Sequence, residues 1–133
     1  MEAEWAALIS LMINKEIKGH KIHVAFWYWN RKDRSEPVYF ENTKYAESAS
    51  RLKKVFNQAS KLYEQNSIDK ENFREIFGGT LVRFWRILED EILHEQEINP
   101  DAHTYFQKVV KELRDKYGIV GEPYQTSPRL PEN

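Results

Sequence analysis

Glu91 and His94 form a Glu-x-x-His motif in a stretch whose apolar spacing predicts a helix. Residues three apart share a helical face, so the two side chains could bind one metal ion, as in di-iron bundles and metal-dependent hydrolases. Such a site needs further ligands, and the sequence has no second Glu-x-x-His motif. We therefore expect a solvated acidic helix end, with no metal, cofactor or catalytic residue. A hydrolase that uses Glu91, His94 and Glu95 as metal or acid/base groups is an alternative function.

Residues 26–29, FWYW, are followed by the basic residues Arg31, Lys32 and Arg34. Exposed rings stack on the bases of single-stranded nucleic acid and basic side chains bind its phosphates. An aromatic run is more often packed in a core or a protein interface. Nucleic acid is therefore not the expected partner, and single-strand binding through residues 26–34 is a second alternative. The interface candidates are Trp5, Trp27, Tyr28 and Trp29.

The stretch 69–97 contains the strongest helical pattern. Asp69 is a suitable N-cap, and Gly78 is suited to a left-handed helix end, after which Thr80 could cap a new helix. The spacing therefore predicts a short helix, a Gly-Gly break at Gly78 and Gly79, and a long helix. The predicted core residues are Phe56, Phe77, Leu81, Trp85 and Leu88.

Three further helices are predicted on either side of this stretch. Residues 2–16 have Trp5 and Leu8 on one side, and residues 43–65, capped by Thr43, have an apolar face with Lys53, Lys54 and Lys61 off it in solvent. The last helix should begin at Asn99-Pro100, where Asn can cap and Pro tolerates the first helical position. Gly118 is the expected C-terminal glycine of this helix.

Residues 21–41 allow two interpretations. KIHVAFWYW, residues 21–29, is rich in β-branched and aromatic residues and could pair with residues 38–41 as a short β-hairpin, or it could continue the first helix. The fold class is mainly α in either case, a small bundle of about four to five helices. We expect one domain over residues 1–118 and a flexible C-terminal tail over residues 119–133, which contain three prolines.

The composition excludes several kinds of protein. Without cysteine, the chain has no disulfide, thiolate metal site or cysteine nucleophile. Residues 5–13, the only apolar run near the start, are shorter than the roughly 20 residues that span a bilayer, so we expect no membrane span and a cytoplasmic location. The net charge of −1 divides unevenly: residues 15–61 have eleven Lys and Arg against five Asp and Glu, and residues 62–101 have four against ten. Such segments can attract each other within one fold or between two copies.

Four short motifs resemble the family known as domain of unknown function 4760. They are Val55-Phe56-Asn57, Asn66-Ser67-Ile68-Asp69, Phe77-Gly78-Gly79 and Phe84-Trp85, so the resemblance covers about residues 50–97. Gln58 and Ala59 stand where the family pattern has an aromatic residue and Glu, and Asn66 and Ser67 replace its basic-Gly pair. The resemblance implies a helical domain and no particular activity.

Taken with the absence of a catalytic motif, the four amphipathic segments predict a helical protein–protein interaction module without enzymatic activity. The expected partner is another protein or a second copy of the chain.

Overall fold

The computed structural model describes residues 2–32 and 35–121. They form five α-helices: α1 (Glu2–Met12), α2 (Lys15–Asn30), α3 (Ala46–Glu64), α4 (Lys70–Ile98) and α5 (Thr104–Asp115), with a short 3₁₀ turn at Phe40–Asn42. The mainly helical class is confirmed. The short β-hairpin is not found, because residues 15–30 are helical and no strand occurs in the two described ranges.

The first predicted helix is divided in two at Asn14. Its Oδ1 atom accepts hydrogen bonds from the backbone N–H groups of Glu16, at 2.7 Å, and Ile17, at 3.2 Å, and so caps the start of α2. Glu16 therefore belongs to α2 and not to the predicted helix 2–16. Ile17 and Val24, seven residues apart, are both buried, so packing at helical spacing outweighs the β-propensity of the stretch.

Helix α3 lies between α2 and α4 and runs antiparallel to both. Against α2, His20 contacts Ser48 and Glu16 pairs with Arg51, so α3 runs backwards along α2. Against α4, the Tyr63 ring packs on Phe73 near the start of α4, while Lys53, earlier in α3, pairs with Glu91, later in α4. Helices α2 and α4 therefore run in the same direction.

Helix α4 is longer than predicted because it continues through both glycines. Its N-cap is confirmed: the Asp69 carboxylate accepts a hydrogen bond from the Asn72 N–H group at 3.0 Å. The predicted break at Gly78 and the cap at Thr80 are wrong, since both residues lie inside Lys70–Ile98. The helix continues through the glycines because residues before and after them, Phe77 and Leu81, are both buried in the core. The residues Phe56, Phe77, Leu81, Trp85 and Leu88 are all buried in the core.

The start of α5 also differs from the prediction, while its end agrees with it. Asn99 caps the end of α4, and α5 begins five residues later, after His103, which has a left-handed φ of 56°. Gly118 has a φ of 61° and so follows the helix as the expected C-terminal glycine. The next residue, Ile119, donates its N–H group to the Leu113 carbonyl at 2.9 Å.

Residues 119–121, the first three of the predicted tail, pack on α4. Ile119 is partly buried against the core, and Gly121 is buried beside the backbone of Val82 and Arg83. Residues 122–133, the remainder of the predicted tail, lie outside the described residues. Among the described helices, none combines the length and apolar character needed to cross a bilayer.

The glycines of this region give a testable contrast. A Cβ atom at Gly79 would meet nothing within 4 Å, whereas one at Gly121 would lie 2.2 Å from the Arg83 backbone nitrogen. Gly79→Ala should therefore raise the free energy of unfolding by about 0.5–1 kcal/mol, since alanine favours a helix interior. Gly121→Ala should lower it by about 1 kcal/mol, because residues 119–121 must move off α4.

Urea denaturation followed by circular dichroism measures both changes. Equal shifts for the two variants would show that Gly121 does not pack against α4.

Candidate functional site

The side chains of Glu91 and His94 do not converge on a common point. Glu91 is only 3% exposed, and its carboxylate accepts hydrogen bonds from Lys53 Nζ at 2.9 Å and from the Glu41 N–H group at 2.8 Å. His94 is partly exposed, with its ring 5.0 Å from the Tyr39 ring. The expected solvated helix end is therefore wrong at Glu91. No three His, Cys, Asp or Glu side chains in the described ranges are placed to hold a metal ion.

Lys53, predicted to lie in solvent, is buried in the interior. Its ammonium group pairs with Glu91 and with Glu95, whose carboxylate also contacts His103 Nε2 at 2.9 Å. Burial alone would raise the pKa of the Glu95 carboxyl, but hydrogen bonds and charge from Lys53 and His103 outweigh it and hold the pKa below its ordinary value. We name Lys53, Glu91, Glu95 and His103 the Lys53 cluster. Its carboxylates are occupied by protein donors, so its role is to join α3, α4 and the start of α5.

A second polar contact, between α2 and α3, places a serine beside a histidine. His20 Nδ1 lies 2.8 Å from Ser48 Oγ, and His20 Nε2 lies 3.4 Å from Glu16 Oε1. The order Ser-His-Glu is that of a hydrolytic triad. However, the His20–Glu16 contact is long, and the Glu16 side chain is 57% exposed and pairs with Arg51 at 3.0 Å. This contact fixes α2 against α3.

The rings of the aromatic-basic stretch pack within the protein. Trp27 lies 4.9 Å from the Phe40 ring, and Tyr28 lies 4.9 Å from the Trp29 ring. The Arg31 guanidinium covers the Tyr28 ring at 4.0 Å and donates to the Tyr28 carbonyl. Arg34 lies outside the described residues. In this arrangement the Trp27 and Tyr28 faces are already occupied by protein groups, which weakens the stacking interpretation.

The four aromatic interface candidates are all partly buried. Trp5 packs edge-on against Phe77, with ring centroids 6.1 Å apart, and the three aromatic candidates of α2 also pack against the core. None of the four is among the largely exposed hydrophobic residues of the described chain. These contacts with the core give the four side chains a structural role.

The outer side of α2 carries apolar groups that do not pack on the core. Ile13 is 65% exposed, and Ile22 and Phe26, four residues apart on one helical face, are half-buried. Ile22 and Phe26 are absent from the set of partly buried side chains that contact the core of the described chain. A groove of about 540 Å³ follows this side, lined by Ile13, Lys15, Lys18, Gly19 and Ile22. An added Cβ atom at Gly19 would meet nothing within 4 Å, so the floor of the groove is open.

Lys15 and Lys18 line the groove beside these apolar groups, whereas Lys21 lies on the side of α2 that carries the buried Ile17 and Val24. Lys15, Lys18 and Lys21 form no ion pair with any part of the chain that the structure describes. Burial lowers the pKa of Lys21, and the positive charges of Lys18 and Arg83 lower it further. The surface is thus positively charged as well as apolar. We name Ile13, Lys15, Lys18, Ile22 and Phe26 the α2 surface.

Comparison with protein families, with curated proteins and with solved structures found no match to this chain. The resemblance to domain of unknown function 4760 stays a prediction from the four motifs. The function must therefore be inferred from the geometry of the chain itself.

Proposed function

We propose that this chain is a helical protein–protein interaction module of the cytoplasm. Its α2 surface binds an amphipathic helix of a partner, with the apolar side of that helix on Ile22 and Phe26 and its acidic side chains on Lys15 and Lys18. The observation that carries the proposal is the combination of an apolar stripe turned away from the core with two lysines, Lys15 and Lys18, that lack ion-pair partners among the described residues.

The shape of the surface favours a helix as the bound element. The lining residues Lys15, Lys18, Gly19 and Ile22 follow the i, i+3, i+4, i+7 spacing of a single helical face, so the groove runs along α2. A helix that lies in such a groove places its own i, i+3 and i+4 anchors against it. Burial of apolar area supplies affinity, while the lysines favour acidic partners over basic ones.

A fluorescence anisotropy titration with a labelled amphipathic Leu/Glu peptide tests the proposal. The peptide should bind wild type, whereas a Leu/Lys peptide of the same length should not. Lys15→Glu/Lys18→Glu should weaken binding about tenfold, since two exposed charge reversals of about 0.5–1 kcal/mol each sum to about 1.4 kcal/mol. Added salt should weaken wild-type binding, because exposed charges are screened.

Matched variants separate this surface from general charge and hydrophobicity. Lys116→Glu, an exposed lysine beyond α5, should leave the affinity unchanged. Ile13→Asp should weaken binding, while Ile76→Asp, on an isoleucine that is also more than half exposed, should not. Equal losses for both isoleucine variants, or binding of a single-stranded oligonucleotide instead of the Leu/Glu peptide, would overturn the proposal.

A further inference from the structure

A small cavity lies where the chain leaves α5 and packs back onto α4. Its volume is about 250 Å³, and it is lined by Val82 and Arg86 of α4, by Arg114 of α5 and by residues 118–121. The volume is just below the roughly 300–1,000 Å³ of ordinary ligand pockets, so a molecule that fits must be small. The cavity shares no residue with the α2 surface.

Two arginines from different helices line this cavity. Arg86 and Arg114 are both exposed, and neither guanidinium group forms an ion pair in the described part of the chain. Two like charges at one cavity repel each other, and a bound anion removes that repulsion. The cavity therefore has the electrostatics of an anion site.

The carboxylates beside Arg114 are bound by other groups. Glu89 and Asp115 line an adjoining cavity together with Arg114. The Glu89 carboxylate accepts the indole N–H group of Trp85 at 2.7 Å, and the Asp115 carboxylate pairs with Lys111 at 2.8 Å. The fold thus places acidic groups near Arg114 without pairing them with its guanidinium group.

The wall formed by residues 118–121 is fixed at both ends. Gly118 turns the chain with a φ of 61°, a conformation that glycine adopts without strain. Gly121 is buried against α4, where an added Cβ atom would lie 2.2 Å from the Arg83 nitrogen. Between the glycines, Ile119 and Val120 add apolar groups to the wall. Because the wall is already held in place, little ordering is needed when a ligand binds.

Positive charge extends from the cavity along α4. Arg83 precedes Arg86 by three residues, so the two arginines lie on one side of the helix. Burial lowers the pKa of Lys21, and the positive charges of Lys18 and Arg83 lower it further. The potential on this side of α4 is therefore positive, which attracts anions to the cavity.

The geometry of guanidinium groups selects the kind of anion. Each group presents a planar fork of N–H donors that binds two oxygens of a carboxylate or a phosphate. A phosphate monoester has three terminal oxygens and a charge of about −1.5 to −2 at neutral pH, so it satisfies two forks better than a single carboxylate does. The apolar groups of Val82, Ile119 and Val120 suit the organic part of such a molecule.

We propose that this cavity binds a small phosphate monoester, with Arg86 and Arg114 on the phosphate oxygens and the organic part against Val82, Ile119 and Val120. The site goes beyond the proposed function and does not depend on it, because the α2 surface contains neither arginine.

An NMR titration of the isotope-labelled full chain with phenyl phosphate tests the site. The amide signals of Gly118 and Gly121 should shift with one dissociation constant. Inorganic phosphate should bind more weakly because it lacks an apolar part, and benzoate should bind more weakly because it has one carboxylate. Arg86→Gln should weaken the binding of phenyl phosphate about tenfold or more, since a charge-assisted hydrogen bond is lost.

The pH dependence of binding identifies the phosphate as the recognised group. The second pKa of a phosphate monoester is about 6. Two guanidinium groups favour the doubly charged form, so the pKa of the bound phosphate should be lower than that of the free phosphate. The affinity for phenyl phosphate should therefore rise as the pH increases through about 6, and phosphorus NMR of the ligand measures the change in its pKa.

Matched variants separate a specific site from general positive charge. Arg51, an exposed arginine on α3 that pairs with Glu16, does not line the cavity, so Arg51→Gln should leave the affinity for phenyl phosphate unchanged. Arg86→Lys keeps the charge but not the planar fork, and should weaken binding less than Arg86→Gln. Without ligand, Arg86→Gln should melt at the wild-type temperature or above it, so that lost binding is not lost folding.

The remaining outcomes decide against the site. Binding that Arg86→Gln and Arg114→Gln leave unchanged, an equal loss in Arg51→Gln, or tighter binding of benzoate than of phenyl phosphate overturns the proposal. A single-stranded oligonucleotide that shifts the same glycine signals at lower concentration than phenyl phosphate overturns the assignment to a small molecule. Arg86→Gln should leave the binding of the Leu/Glu peptide unchanged, so failure of this site and failure of the interaction module are separate results.

Discussion

Replacement of Lys53 by methionine is expected to lower the free energy of unfolding by about 3–5 kcal/mol, the cost of leaving a buried charge without its partner. The Lys53 Nζ atom lies 2.9 Å from the Glu91 carboxylate, and both side chains are less than 9% exposed. Methionine keeps much of the volume of lysine, so the loss reports the charge and not a cavity. Urea denaturation of the variant and the wild type, followed by circular dichroism, measures the difference.

The next residue supplies the control for this experiment. Lys54 is exposed, so Lys54→Met should change the free energy of unfolding by no more than about 0.5 kcal/mol. If Lys53→Met costs no more than Lys54→Met, the buried ion pair does not contribute to stability.

A double variant separates the charge from the position. Lys53→Met/Glu91→Leu removes both charges and should be more stable than Lys53→Met alone, because paired burial of apolar groups replaces an unpaired carboxylate. It should still fall short of wild type, since the Glu41 N–H group loses its acceptor. The coupling energy of the double-mutant cycle then gives the strength of the pair.

The sequence predicted the helices whose apolar faces are long and regular. The stripe Leu81, Trp85, Leu88 and Ile92 places one side of α4 in the core as expected, and Asp69 caps the helix as expected. The residue types of Gly78 and Gly79 alone did not predict the continuous helix. Gly78 has the residue type of a helix end, but apolar groups before and after it are buried together, and tertiary packing keeps the helix continuous.

The polar residues of the core could not be recognised from spacing alone. Lys53 follows the buried Leu52 and lies at the border of the apolar face of α3, a position from which a long side chain usually reaches solvent. Its burial depends on Glu91, thirty-eight residues later in the chain. The sequence allows Lys53 and Glu91 to form a buried pair. Only the packing of α3 on α4 shows that the two side chains meet.

The α2 surface was missed for a different reason. The sequence left residues 21–41 open between a helix and a hairpin, and the two alternatives put different side chains together. On a helix, Ile22 and Phe26 share a face with Lys15 and Lys18, whereas on a strand neighbouring residues alternate between faces. The aromatic run predicted Trp27 and Trp29 as interface anchors. Because these side chains are large, they pack against the core instead.

Truncation of Trp85 is expected to lower the free energy of unfolding by about 3–5 kcal/mol, as for other large aromatic residues removed from a core. The Trp85 side chain is 4% exposed and packs edge-on against Phe106 of α5, with ring centroids 5.2 Å apart. Its indole N–H group donates to the Glu89 carboxylate at 2.7 Å. Thermal and urea denaturation of Trp85→Ala measure the loss, and a variant that unfolds like wild type would contradict the core assignment.

Trp85→Phe separates the packing of the ring from its hydrogen bond. Phenylalanine keeps an aromatic ring against Phe106 but has no N–H group for Glu89, whose carboxylate is partly exposed and can turn to water. This variant should therefore lose only about 1–2 kcal/mol. Because Phe106 also contacts Phe56 of α3, the cavity in Trp85→Ala weakens the site where α5 meets two helices. In native-state hydrogen exchange, the Trp85→Ala substitution should therefore accelerate the amide hydrogens of α5 more than those of α2. Equal acceleration in both helices would show that α5 opens only with the whole fold.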